Sequence, residues 1–287
     1  MLRSLNDLEE YSIRATDGDI GQVKDFYFDD DAWVVRYLVV ETGSWLSSRK
    51  VLITPISIKT PNWAERVLPV AISKDAVKRS PDIDTDKPVS LQNQMQYLDH
   101  YGYPYYWGGV GIWGSGISPY AMLPGYAGDG ADHVARKAAE AAYAKAERVR
   151  HRNDDPHLRS CEAVGGYHIQ ASDGEIGHVD SLLVDQDTWA IRYLVVNTSN
   201  WWVGHKVLIA PQWIKGVNWA NQTVTVDLTR EAVKAAPAFR STAEMNRSLE
   251  TNLYKHYGRS GYWADSAAPK SDFHRPDQKV NQAGGMS

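Results

Sequence analysis

One register relates the first part of this chain to a later part without a gap. Asp17-Gly-Asp-Ile-Gly-Gln-Val23 returns as Asp173-Gly-Glu-Ile-Gly-His-Val179, an offset of 156 positions. At that offset Arg36-Tyr-Leu-Val-Val40 meets Arg192-Tyr-Leu-Val-Val196, and Lys50-Val-Leu-Ile53 meets Lys206-Val-Leu-Ile209. The match opens on Leu2-Arg3-Ser4 against Leu158-Arg159-Ser160 and closes on Tyr106-Trp107 against Tyr262-Trp263. A repeat this long can bury a core of its own, so each copy reads as a domain and not as a solenoid turn. The expected organisation is a first unit at 2–107, a connecting stretch at 108–157, a second unit at 158–263 and a disordered tail at 264–287.

Within one unit the pattern is that of short strands. Tyr11 to Ala15 alternates apolar and polar residues, as a half-buried strand does. Asp17-Gly18 supplies the positive φ of a tight turn, and Gly21 suggests a bulge or a close backbone approach. Asp29-Asp30-Asp31 makes a second turn before the β-branched run Trp33 to Val40, the expected central strand. Lys50 to Ile53 is a further strand, and Val67 to Val70 a short one whose Pro69 marks an edge. Ser73 and Thr229 cap short helices that end before Pro81 and Pro237. Ser90 to Tyr101 predicts a second helix stopped by Gly102. Strands this short, with turns this close, point to a small closed barrel partly covered by C-terminal helices.

Residues 108–130 are rich in Gly and Pro and read as an irregular linker. Residues 131–152 are Ala-rich with interspersed charges and read as a helix lacking a strong core face.

These residues together resemble the PRC-barrel family. The resemblance rests on Tyr11-x-Ile13-x-Ala15, Asp17-Gly18-x-Ile20-Gly21-x-Val23, Trp33-x-x-Arg36-Tyr37-Leu38-Val39-Val40 and Lys50-Val51-Leu52-Ile53-x-Pro55, and on their counterparts in the second copy. It covers about residues 2–80 and 158–236 and implies a mainly β chain: two tandem SH3-like barrels of six strands, each followed by short helices. The family includes the cytoplasmic domain of the photosynthetic reaction centre H subunit and the C-terminal domain of the ribosome maturation factor RimM. The resemblance implies protein contacts and does not imply catalysis; from the residues themselves no cofactor or metal is expected.

The composition narrows the function classes. A formal net charge of −4 is a poor basis for the counterion displacement that DNA binding needs. No run reaches the about 20 apolar residues that cross a bilayer. The single cysteine, Cys161, fits a reducing compartment, so a cytoplasmic location is expected, with the thiol in a small packing role. The acidic turns lack the partners of a calcium loop, and no Cys/His set stands at zinc spacing. His168, His178 and His205 occur in the second copy alone, opposite Ser12, Gln22 and Arg49. An enzyme would need these histidines in a cleft between the copies; the simpler reading makes them surface or structural residues. Arg36 and Arg192 lie within strands, where an outward side chain paired with a carboxylate across the ladder is expected, with anion recognition as the alternative.

Eleven Trp and 16 Tyr against 4 Phe favour half-exposed positions, because Trp and Tyr carry a polar handle. Trp45, Trp63, Trp201, Trp202, Trp213 and Trp219 form the candidate interaction surface; the alternative is that they plug barrel ends or pack on helices. The expected function is a non-catalytic protein-interaction or scaffold module, with a protein partner or self-association. A ribosome- or RNA-associated role by analogy with RimM is the second reading, and a reaction-centre role is a family-level label only.

Overall fold

The computed structural model describes residues 1–81, 91–107, 111–114, 116–122, 158–198 and 205–264. The Ala-rich stretch 131–152, the tail from 265 onward, Trp201 and Trp202 lie outside them.

In the first repeat β1 (Leu2–Ser4) leads into a one-turn helix α1 (Leu5–Leu8), then β2 (Ser12–Ala15), β3 (Gly18–Asp29), β4 (Val34–Thr42), β5 (Lys50–Ile53), β6 (Val67–Pro69), α2 (Lys74–Lys78) and α3 (Leu91–Tyr101). In the second, β7 (Leu158–Ser160) and α4 (Cys161–Val164) precede β8 (His168–Ala171), β9 (Gly174–Asp185), β10 (Ile191–Asn197), β11 (Lys206–Ile209), β12 (Ile214–Asn218), β13 (Thr223–Val226) and α5 (Arg230–Lys234). The fold is mainly β, in two sheets.

The local signals act as expected. Gly18 and Gly174 hold φ of +133° and +142° in the tight turns. Gly21 is a close approach: a Cβ there would sit 2.0 Å from the Glu41 carbonyl oxygen. Ser73 Oγ and Thr229 Oγ1 each accept an N-cap hydrogen bond of 3.2 Å, from Ala76 N and Ala232 N. Gly102 closes α3 at φ +69°.

No sheet closes into a barrel by hydrogen bonding. The first runs β5-β4-β3-β2-β6 and the second β11-β10-β9-β8-β13-β12, both as open paths. In the second repeat the outermost strands of that path, β11 and β12, follow one another in sequence. The 3-10 turn Pro211–Trp213 lies between them, so the chain itself joins the two ends. Proline at the first position of such a turn has no N–H to give to a ladder, which is why pairing stops there. Only the second repeat forms a β12 strand. Its ladder pairs Gly216 with Thr225 and Val217 with Val224. The first repeat has Pro61 in place of Val217 and Pro69 in place of Thr225, so donors are missing on both sides. Isolated bridges, Ile58 to Val70 and Asn62 to Val67, remain there.

Residues Val34–Val40 are all buried, so β4 is covered on both faces. On one face Tyr27, Tyr37, Val39 and Leu52 meet Tyr97 of α3 and Leu158 of β7. Tyr97 stands edge-on to Tyr37, ring centres 5.6 Å apart. The chain divides into a unit Met1–Glu244 and a unit Met245–Ser287. In the latter, α6 (Arg247–His256) is capped by Asn246 Oδ1, which accepts from Leu249 N at 3.0 Å. Tyr262 OH donates to Glu250 at 2.8 Å, and Trp263 stands against Tyr254.

Candidate interaction surface at the seam of the two repeats

Each repeat lends its first strand to the other's sheet. β1 lies antiparallel to β9, with Leu2 opposite Asp185, Arg3 opposite Val184 and Ser4 opposite Leu183. β7 lies antiparallel to β3, with Leu158 opposite Asp29, Arg159 opposite Phe28 and Ser160 opposite Tyr27. The two registers are identical at the offset of the repeat. Sequence reasoning assigned each Leu-Arg-Ser strand to its own unit and did not foresee the exchange.

A second pair of main-chain bonds follows the same symmetry. Val35 N donates to Trp189 O at 2.9 Å, and Ile191 N donates to Trp33 O at 2.7 Å. Both tryptophans adopt left-handed backbone, φ +54° and +57°. For a residue with a Cβ this conformation costs on the order of 1–2 kcal/mol. It ends the Asp29 and Asp185 turns and aims a carbonyl across the seam. Trp189 is buried and packs near Phe26, while Trp33 lies 5.2 Å from Phe28, contacts that offset the strain. In those turns Asp29 Oδ1 accepts from Asp31 N and Ala32 N, and Asp185 Oδ1 accepts from Asp187 N and Thr188 N. The acidic turns are therefore hairpin turns, as their composition suggests.

Side chains then lock the crossing strands. Arg159 Nε donates to Asp30 Oδ2 at 2.8 Å, and its guanidinium lies 4.3 Å from the Trp219 ring centre. Arg3 does the same with Gln186, at 3.2 Å, and with Trp63, at 4.0 Å. Trp63 and Trp219 are thus half-buried platforms for arginines on the exchanged strands. Trp45 is also half-buried; its indole N–H donates to Ile20 O at 2.6 Å and Lys74 sits over its ring. Trp213 is only 3% exposed and packs inside the fold, with no surface to offer.

The symmetry breaks at Asp25. This buried carboxylate accepts from Ser160 Oγ at 2.6 Å, from Glu162 N at 3.0 Å and from Phe26 N at 2.7 Å. It so caps the first turn of α4 from across the seam; the matching residue of the second repeat is Ser181. Burial raises the Asp25 carboxyl above the ordinary carboxylate range, against the lowering effect of those hydrogen bonds. Glu9 is raised too, by burial and then by Asp25, Glu162 and Glu10. Cys161 is a free, half-buried cysteine. Its thiol is pushed well up by burial, then by Asp25 and Glu9, the opposite of what a reactive thiolate needs.

The Gly-rich stretch also reaches the seam. Trp113 is fully buried, and its indole N–H donates to Thr188 O at 2.7 Å in the second repeat. Ser118 Oγ donates to Asp187 O at 2.8 Å. Arg36 pairs with Asp29 at 3.1 Å, the cross-ladder carboxylate expected of it, but it is buried and not outward, its guanidinium 4.0 Å from the Tyr106 ring centre and 4.8 Å from that of Trp113. Arg192 approaches Asp185 at 3.8 Å. A lone Trp in a Gly-rich run was the one signal that this stretch packs.

Residues 2–76 match the family pattern of the PRC-barrel domain. This segment is a PRC-barrel domain. Comparison with curated proteins returned no match. In the PRC segment the ladder from β2 to β6 is complete, while β1, at its very start, leaves to pair with β9. Among the described residues no three His, Cys, Asp or Glu side chains are grouped to hold a metal ion, and no helix is long and apolar enough to cross a membrane.

Proposed function

We propose that the chain is a non-catalytic scaffold: two PRC barrels held as one rigid body that presents protein-binding surfaces in fixed relation. The observation that carries this reading is the reciprocal strand exchange. It makes each sheet depend on the other repeat, and both sheets lie in the single unit Met1–Glu244. Adding a strand to a sheet edge is a general mode of protein recognition, with main-chain bonds giving affinity and side-chain sites giving specificity. The polar groups of the seam, Asp25, Arg159 and Ser160, are engaged in holding it. The half-buried rings of Trp45, Trp63 and Trp219 are the aromatic anchors for a partner. The single cysteine fits work in the reducing cytoplasm.

The test is affinity purification from the native host together with light scattering of the pure chain. A specific partner or a defined self-association, weakened by Trp45→Ala in a variant that circular dichroism shows to be folded, is the expected result. A chain that stays monomeric and captures no partner refutes the reading.

A further inference from the structure

The second sheet carries a transverse row of side chains that the first sheet lacks. Across it the register runs Thr223, His168, His178, Asn197, Lys206. The same row in the first sheet runs Val67, Ser12, Gln22, Glu41, Lys50. The offset of the repeat thus turns a Ser-Gln pair into a His-His pair at one point of an otherwise matching ladder.

The backbone sets the relation of these two positions. His168 N donates to Gln222 O at 2.9 Å, toward the β13 side. The His168 amide therefore points away from β9, and His168 and His178 form a non-hydrogen-bonded antiparallel pair. Such pairs have the shorter Cα separation, about 4.5 Å, and side chains on one face. That face is the outer one. Ile169 and Val179, the next residues along, are buried, whereas His168 is exposed and His178 half-exposed. Glu175 adds the third feature. Its Oε1 lies 2.9 Å from His168 Nδ1. A carboxylate in that place accepts a hydrogen bond from Nδ1–H and leaves Nε2 with the lone pair, the arrangement that orients metal-ligating histidines.

We propose that His168 and His178 are a two-imidazole site for a divalent transition-metal ion of the copper, nickel or zinc group, with Glu175 positioning His168. Imidazole suits these ions, and copper binds most tightly in the general order of divalent affinities. Two imidazoles leave coordination positions on the ion for water or for an incoming ligand. The site is independent of the scaffold reading and needs no partner protein.

The experiment is calorimetric titration of the full chain with Cu²⁺ and with Ni²⁺. It compares the wild type, the variant His168→Ser/His178→Gln that copies the first repeat, and the reverse variant Ser12→His/Gln22→His. Circular dichroism without metal checks that all three fold alike; the outer-face positions make this the expected outcome. The wild type takes up one tight equivalent, which the first variant loses or binds at least about tenfold more weakly. The reverse variant gains an equivalent, with Asp19 in the place of Glu175. Glu175→Gln weakens the site at unchanged stoichiometry. Binding by His168→Ser/His178→Gln at the wild-type affinity and stoichiometry, or no tight binding by the wild type, overturns the proposal.

Discussion

Leu158→Ala tests the strand exchange most directly. Leu158 belongs to the second repeat by sequence yet is only 2% exposed, within a cluster of first-repeat side chains: Tyr27, Tyr37, Val39, Leu52 and Tyr97. Truncating a buried Leu removes its transfer free energy and leaves a cavity, at a cost of about 2–5 kcal/mol. For a unit of this size each kcal/mol lowers the melting temperature by about 2–4 °C, so a fall of roughly 4–20 °C is expected in a thermal melt. Leu249→Ala, on the exposed face of α6, should stay within about 0.5 kcal/mol of wild type. A second measurement separates a mere core residue from a strand that binds the repeats together. A protease site placed within residues 131–152 allows the chain to be cut between the repeats. The two pieces should co-elute in gel filtration after cutting, and in the Leu158→Ala background they should separate at lower denaturant concentration. Wild-type pieces that part on cutting, or a Leu158→Ala melt within 2 °C of wild type (the effect expected of about 0.5 kcal/mol), refute the exchange.

Other substitutions address the remaining contacts. Gly21→Ala forces a Cβ against the Glu41 carbonyl and should cost about 1–3 kcal/mol by denaturant unfolding. Trp113→Ala, which empties a fully buried site over Arg36, should cost about 3–5 kcal/mol in the same assay. For Asp25 the sign follows from its raised folded-state carboxyl. A carboxyl whose pKa is higher folded than unfolded stabilises the fold when protonated and loses that contribution as pH rises through the folded value. Asp25→Asn should therefore flatten the dependence of stability on pH between its ordinary carboxylate value and neutrality, read as melting temperature from about pH 4 to about pH 7. An unchanged slope would assign the effect elsewhere, first to Glu9.

What was legible in the sequence is what is decided locally. The Asp-Gly turns, the Ser73 and Thr229 caps, the Gly21 approach and the Arg36–Asp29 pair each depend on residues a few positions or one strand apart. The exchange was not legible, for a definite reason. Leu2-Arg3-Ser4 and Leu158-Arg159-Ser160 are the same tripeptide, and their alternative sites on β3 and β9 are nearly the same surface. Local preference is equal either way, so the pattern of residues alone does not choose between the two sites. The closed ladder was over-read because the pattern of short strands shows how many there are, and not that Pro55 and Pro211 turn the chain at the corner. Of the proposed Trp surface, the sequence could not separate the buried Trp213 from the half-buried Trp45, Trp63 and Trp219, since all sit between turn residues.

The exchanged strands also set an order of events during synthesis. When the first repeat has left the ribosome, the end of β3 at Tyr27–Asp29 still lacks the strand that will cover it, because Leu158–Ser160 has not been made. At about 5–20 residues per second that edge waits several seconds, an open template for any other nascent chain nearby. The missing strand is also the first element of the second repeat to emerge. Translation therefore delivers the cover for the first sheet before it delivers β9, the strand on which β1 must dock.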